Sequence, residues 1–203
     1  MLVAIGCGAI MVQTQSAALG HAGVAIAWGL VVMTMIYAIG DLSGAHMNPA
    51  VSWAFVATGR FAAVDAAAYT ISQIAGAIAA AISLATVFGI DPSYLGATLP
   101  TVSPTAAFCV ETFLTAVLMF VVMGVSTGAK EKSITAGLAV GGVIAMEAMV
   151  AGPITMASMN PARSIGPALI AGRTTELWLY VMGPMFGAML GLLAYRIVGG
   201  AKR

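Results

Sequence analysis

Long apolar runs divide this chain into predicted membrane-spanning helices. A helix needs roughly 20 mostly apolar residues to cross a bilayer, and six runs meet or approach that length. They cover residues 1–12, 22–40, 61–90, 104–126, 134–150 and 177–198. The first run is short for a crossing. A signal peptide would need a basic n-region and a cleavage site, which this start lacks. Because the run is short, we interpret Met1 as an internal start that has lost the first turns of a helix.

Two further apolar runs are too short to cross, and each follows the tripeptide Asn-Pro-Ala. Asparagine is a good N-cap, and proline is favoured at the first helical position, where a missing N–H costs nothing. The tripeptides Asn48-Pro49-Ala50 and Asn160-Pro161-Ala162 therefore predict half-helices over 49–58 and 161–171. Irregular stretches over 41–47 and 151–159 precede them, so both half-helices are expected to begin inside the membrane.

The two halves of the chain repeat each other. Residues 69–77 align with 180–188 and keep Tyr, Gly and Ala in place, and 27–30 matches 136–138. The two copies cover about 1–90 and 104–198 of one domain. Each copy has three crossings, an odd number, so the copies must have opposite orientations across the membrane. Inverted repeats with interrupted helices indicate a transport site.

Composition places the chain in the membrane class. Of its 203 residues 61% are hydrophobic and only 7% are charged, whereas soluble domains contain about 25% charged residues. The net charge of +1 gives no basic field for nucleic acid. No Ser/His pair, HExxH motif or paired aspartates occur in the spans, so neither an enzyme nor a cofactor or metal site is predicted.

Positive charge sets the expected orientation. If both termini are cytoplasmic, only Arg173 lies outside, which fits an integral protein of the inner (cell) membrane. The cations then inside are Arg60, Lys130, Lys132, Arg196, Lys202 and Arg203.

Paired half-helices can favour neutral solutes over cations. Each N-terminus carries roughly half a positive charge, and two that face each other repel cations, hydronium included. Asn48 and Asn160 would offer N–H donors at that point, and the irregular stretches would offer backbone carbonyls. The carbonyls expected along this path belong to Gly44, Ala45, His46, Thr155, Met156 and Ser158.

Arg163 follows the second tripeptide. A charge within a membrane costs about 3 kcal/mol or more and is functional by default, so a pore position is expected. The alternative is an arginine at a helix end that reaches the interface.

The segments SGAHMNPAVS and GPITMASMNPARS resemble the paired motifs of the aquaporin, or major intrinsic protein, family. The resemblance covers nearly the whole chain. It implies an all-α hourglass of six tilted transmembrane helices and two re-entrant half-helices, with one pore per subunit of a homotetramer. It also implies passive movement of water or small uncharged solutes, with protons excluded.

The resemblance maps the family's selectivity filter onto four residues: Trp28, Ala148, Ala157 and Arg163. Strict water channels resemble Phe, His, a small residue and Arg at these places, so alanine at the histidine position implies a wider, less polar opening. Glycerol facilitators resemble an Arg-Asp pair, but here Ser164 follows Arg163. The set is most similar to the nodulin-26-like branch, which makes glycerol, urea and neutral metalloid hydroxides candidate solutes.

Two glutamates within the spans complete the candidate residues. The resemblance implies that Glu111 accepts hydrogen bonds from the re-entrant loop, and Glu147 is expected to brace the second loop or line the outer mouth. The alternatives are a strict water channel, a proton-coupled transporter that uses one of these glutamates, and a non-conducting structural protein.

Overall fold

In the computed structural model of this chain, residues 1–91, 93–126 and 130–199 are described, with the side chains of 130–134 set aside. These residues form eight α-helices, one 3-10 turn at Tyr94–Gly96 and no strand. The helices are α1 (Leu2–Ser16), α2 (Gly20–Ser43), α3 (Pro49–Ala57), α4 (Ala63–Phe88), α5 (Pro104–Ser126), α6 (Lys130–Thr155), α7 (Pro161–Ala171) and α8 (Leu177–Gly199).

The predicted all-α architecture is confirmed. Five helices, α2, α4, α5, α6 and α8, are long and apolar enough to cross a membrane. Helix α1 has 15 residues, while the half-helices α3 and α7 have 9 and 11. Both half-helices begin at the proline of their tripeptide and pack on α4 and α8.

The predicted connection over 13–20 is shorter in the structure, because α1 continues to Ser16 and α2 begins at Gly20. Gln13, which had indicated a polar loop, uses its side chain to satisfy this turn. Its Oε1 accepts hydrogen bonds from the backbone N–H groups of Leu19 at 3.0 Å and Gly20 at 2.6 Å. A polar side chain in the last turns of one helix thus caps the start of the next.

The prediction of an irregular stretch over 151–159 is wrong in its first half, because α6 continues to Thr155. Pro153 lies inside this last turn and has no N–H to give to the carbonyl of Met149. The ring Nε2 of His21, in the first turn of α2, bonds that carbonyl at 2.7 Å. An imidazole therefore takes the place of the missing backbone donor, and the helix survives its proline.

Glycines set the distance between the packed helices. The most extensive helix pairs are α5 with α8 and α2 with α6. A Cβ atom on Gly29 would lie 2.5 Å from the carbonyl oxygen of Gly141, and one on Gly141 would lie 2.6 Å from that of Gly29. In α8, a Cβ on Gly187 would overlap the carbonyl oxygen of Thr112. Small residues that allow backbones to touch are the usual packing device inside a membrane.

We expect Gly141→Ala to destabilise the fold by about 1–3 kcal/mol, since overpacking a tight contact costs that much. Gly142→Ala is the matched control, because a Cβ there meets no atom within 4 Å. Thermal unfolding of the purified proteins in detergent should show a lower midpoint for the first variant only. Equal midpoints would contradict the packing described for α2 and α6.

Candidate functional site

Each tripeptide asparagine caps its own half-helix. Asn48 has an extended backbone (φ −153°, ψ 119°), and its side-chain Oδ1 accepts a hydrogen bond from the N–H of Ala50 at 2.9 Å. Asn160 is also extended (φ −150°, ψ 108°), and its Oδ1 accepts from the N–H of Ala162 at 3.0 Å. Both caps satisfy donors that the first helical turn would otherwise leave unpaired.

The same asparagines join the two halves of the chain. Nδ2 of Asn48 donates to the carbonyl of Met159 at 2.7 Å, and Nδ2 of Asn160 donates to the carbonyl of Met47 at 2.8 Å. Both methionines have left-handed backbones, with φ of 47° at Met47 and 54° at Met159. An asparagine amide has two hydrogens, so each side chain keeps one donor after making this contact. The half-helix tips therefore meet, and each asparagine keeps one N–H that no described residue accepts.

A cavity of about 140 Å³ lies beside these asparagines. Roughly 10–15 Å³ is enough to hold one water, so several fit. Its wall brings together both asparagines and all four residues assigned to the filter. Those residues are Asn48, Asn160, Trp28, Ala148, Ala157 and Arg163. Much of the remaining wall is aliphatic and includes Val32, Ile36, Val51, Leu118, Val122, Val140 and Ile144.

The Arg163 side chain lies inside the protein, with only 1% of its surface exposed. Its Nη1 donates to the carbonyl of Gly96 at 2.8 Å, and its Cζ lies 4.8 Å from the centre of the Trp28 ring. Nη2 is buried without a hydrogen-bond partner among the described residues. The alternative of an arginine that reaches the interface does not fit this burial. Arg163 instead keeps a charged donor free next to the cavity.

Four of the six residues expected to supply backbone carbonyls line the cavity: Gly44, Ala45, His46 and Ser158. Thr155 is a correction, because it ends α6 and its carbonyl accepts a hydrogen bond from the Tyr180 hydroxyl at 2.9 Å. Met156 is not part of this cavity wall, and the role of its carbonyl stays a prediction. The longer α6 moves the start of the irregular stretch closer to Asn160 than the sequence indicated.

Glu111 holds the second loop in place from α5. Its Oε1 accepts hydrogen bonds from the Thr155 hydroxyl at 2.7 Å and the Ser158 N–H at 2.9 Å, and its Oε2 accepts from the Met159 N–H at 2.8 Å. The loop needs this support because Met156, Ala157 and Met159 all have positive φ. Such conformations are costly for residues with side chains and persist only when their surroundings hold them.

Glu147 does not make the contacts expected of it. Its side chain is 3% exposed, and neither carboxylate oxygen has a hydrogen-bond partner among the described residues. It is also absent from the cavity wall. Glu147 therefore has no contact among the described residues by which it would brace the loop, and its place at the outer mouth stays a prediction. Glu111, on the neighbouring helix, already accepts from the loop donors at Ser158 and Met159.

Two contacts of the predicted filter residues were missed by sequence reasoning. The Gly96 carbonyl that binds Arg163 comes from a loop between two prolines, and nothing in its sequence marks it. Gly6 faces the Trp28 ring, which a Cβ at this position would overlap. A glycine in an apolar run is a weak signal on its own, so only the fold reveals this pairing.

The family described as "Major intrinsic protein" matches residues 1–195 of the chain. The chain is 44% identical to "Aquaporin NIP1-1" of Zea mays over 198 residues, which cover 97% of this chain and 70% of that protein. It is 42% identical to "Aquaporin NIP1-2" of Arabidopsis thaliana over 206 residues, with 97% and 70% covered.

Among solved structures, the fold is similar to the X-ray structure of the aquaglyceroporin from Plasmodium falciparum. The TM-score is 0.85 at 24% sequence identity, and the match covers 96% of this chain and 89% of that one. At this identity the likeness speaks for the fold.

The two buried glutamates should respond differently to loss of charge. We expect Glu111→Gln to cost about 1.5–3 kcal/mol of stability, because one carboxylate oxygen that accepts a loop N–H becomes an NH₂ group. Glu147→Gln is the matched control and should be neutral or stabilising, because no hydrogen bond is lost. Thermal unfolding in detergent measures both. A larger loss for the Glu147 variant would contradict the assigned roles.

Proposed function

The chain belongs to the major intrinsic protein family, and from that premise we propose a passive pore for glycerol, urea or neutral metalloid hydroxides as well as water. Members of the family are membrane channels for water and small solutes, not enzymes. The proposal for this chain adds the solute class and the exclusion of protons and ions. Both depend on the side chains around the cavity.

The observation that carries the solute class is the presence of two alanines, Ala148 and Ala157, beside Trp28 and Arg163 in one cavity wall. The alanines leave room, the indole adds apolar wall, and the Arg163 guanidinium lies in the same wall with Nη2 unpaired among the described residues. A glycerol molecule has a carbon face and a row of hydroxyls, so it matches both kinds of surface at once. A strict water channel is less favoured, because alanine supplies neither the bulk nor the polar ring expected at position 148.

The electrostatics support exclusion of cations. Both half-helices begin at the cavity, and each helix N-terminus carries roughly half a positive charge. Arg163 adds a full charge to the same wall. A cation entering the cavity would meet these three positive groups, and the described cavity wall contains no carboxylate to attract it. The Glu111 carboxylate lies outside that wall and accepts three hydrogen bonds. These contacts also count against Glu111 as the proton site of a coupled transporter.

We propose the orientation with both termini in the cytoplasm of the inner (cell) membrane. Nη2 of Arg196, in the last turn of α8, donates to the carbonyl of Ala57 at the end of α3. Arg173 lies just beyond the end of the other half-helix. The side chains of Lys130 and Lys132, and residues 202 and 203, lie outside the described part. We also propose the homotetramer that the family resemblance implies.

The filter assignment predicts a selective loss of the larger solute. We expect Ala148→His with Ala157→Thr to lower glycerol flux about tenfold or more and water flux much less, because fitting extra atoms into a tight site costs about 1–3 kcal/mol. Ala148→Val is a graded control and should fall between. Light scattering of proteoliposomes against sucrose, glycerol, urea and arsenous acid measures this. An unmodified protein that passes none of the solutes would contradict the channel, and an equal loss of water and glycerol would contradict the filter.

Removal of the buried cation should weaken exclusion. Unit charges 4 Å apart interact by about 1–4 kcal/mol between bulk water and a protein surface. Arg163→Ala is therefore expected to raise proton leak at least about fivefold, read with a pH-sensitive dye inside proteoliposomes. Arg163→Lys keeps the charge and should keep the leak low. A leak that is unchanged in the alanine variant would contradict a pore role for Arg163.

A further inference from the structure

We propose that Arg173 is a positioning residue for the filter, acting through the turn Tyr94–Gly96, which we call the strap. In this arrangement Arg173 holds one end of the strap, and the other end holds Arg163 by its backbone carbonyl. The inference rests on the proposed function, because it explains how the filter arginine keeps its place. It assigns a role in solute selection to a surface residue that is outside the cavity wall.

The strap has a conformation that it cannot keep unaided. Three consecutive residues have left-handed backbones, with φ of 47° at Tyr94, 59° at Leu95 and 66° at Gly96. Only the third is glycine, and the other two have side chains that disfavour this region. Local hydrogen bonds are few: Gly96 N–H donates to Ser93 and Ala97 N–H donates to Tyr94. Contacts from elsewhere in the fold must therefore stabilise the turn.

The inner end of the strap is fixed against α1 and the filter. Leu95 is fully buried in the hydrophobic core. A Cβ atom on Gly96 would lie 3.2 Å from Cys7 and 3.2 Å from Ile10, so the backbone fits closely against α1. The Gly96 carbonyl accepts from Arg163 Nη1 at 2.8 Å, and the Cys7 thiol lies 3.8 Å from the same oxygen. Movement of Gly96 would leave a second nitrogen of the Arg163 guanidinium without a partner.

The outer end of the strap is fixed by Arg173. Its Cζ lies 3.9 Å from the centre of the Tyr94 ring, a cation–π contact. Arg173 follows Gly172, which caps the C-terminal end of α7 with φ 67°. The backbone N–H of Arg173 donates to the Ala168 carbonyl at 2.9 Å. The base of the side chain is thus tied to the half-helix.

One rigid element therefore contacts the strap at both ends. Arg163 lies in the first turn of α7 and Arg173 just past its last residue, Ala171. Eight helical steps lead from Arg163 to Ala171, about 12 Å along the helix, and the strap also packs against α7. When Arg173 releases Tyr94, the strap loses its outer support, and the left-handed turn that points the Gly96 carbonyl at Arg163 can relax. The freed guanidinium then turns toward the water in the cavity, where it obstructs a large solute more than it obstructs water.

The test compares glycerol and water flux in proteoliposomes for Arg173→Ala and Tyr94→Leu. Both variants should lower the glycerol-to-water permeability ratio about two- to fivefold, the contribution expected of an exposed cation–π pair to an equilibrium. Tyr94→Phe keeps the ring face and should behave as the unmodified protein, and Arg173→Lys should recover part of the ratio. Arg60→Ala removes another exposed arginine and is the matched control. The double variant should be no worse than either single one, because both break the same contact.

Cys7 gives a second measurement that does not depend on solute flux. Its thiol is fully buried next to Gly96, whereas Cys109 is exposed and must first be changed to serine. In that background, Arg173→Ala and Tyr94→Leu should speed maleimide labelling of Cys7 about two- to fivefold, and Tyr94→Phe should not.

If Arg173→Ala and Tyr94→Leu still conduct and their glycerol-to-water permeability ratio is unchanged or higher, the role of Arg173 is overturned and the channel is left intact. Unchanged Cys7 labelling in both variants overturns it as well. A parallel fall of both fluxes at constant ratio would mean that Arg173 contributes only to folding. Loss of all flux in the unmodified protein would instead overturn the proposed function, and the inference with it.

Discussion

Two hydrogen bonds between the halves of the chain hold the half-helices tip to tip: Asn48 to the Met159 carbonyl and Asn160 to the Met47 carbonyl. A backbone group without a partner is costly where water is excluded, and a helix that starts at mid-depth creates several such groups. Each asparagine solves this twice, by capping its own helix with Oδ1 and by satisfying a carbonyl of the other loop with Nδ2. The break in the membrane helices is stable only because both halves supply the missing partners.

The same arrangement determines the charge balance of the centre. Two helix N-termini and Arg163 bring positive potential to one small region, and a buried cation without compensation would be expensive. Glu111 does not contact this cation directly, since its oxygens are bonded to the Thr155 hydroxyl and to the loop N–H groups of Ser158 and Met159. Its carboxylate therefore supports the loop without belonging to the cavity wall. The cavity keeps its positive character, and the Arg163 guanidinium is held by the Gly96 carbonyl and the Trp28 ring.

Local signals in the sequence were sufficient for the helices and for the capping asparagines. The apolar runs predicted every helix, and α5 and α7 begin and end at the predicted residues. What failed depended on partners distant in sequence. The extension of α6 through Pro153 requires His21 from α2, and the carbonyl of Thr155 is taken by Tyr180. Glu147 was expected to brace the loop or line the outer mouth, but the loop donors at Ser158 and Met159 bond to Glu111. A single sequence cannot show these pairings, and for the same reason it could not show Gly6 against Trp28.

The correspondence between the halves extends to individual hydrogen bonds. The tyrosines that the sequence alignment paired bond to equivalent carbonyls: Tyr69 to Ser43 at 3.0 Å and Tyr180 to Thr155 at 2.9 Å, each five residues before its asparagine.

In each half, a polar side chain two residues before the asparagine bonds to a serine four residues after that asparagine. His46 Nδ1 bonds Ser52 Oγ at 3.2 Å, and Ser158 Oγ bonds Ser164 Oγ at 2.6 Å. The chemistry differs, since a ring stacked on Phe55 replaces a hydroxyl, but the contact is conserved in space. Each loop is thus fastened to its own half-helix by a short bridge around the asparagine.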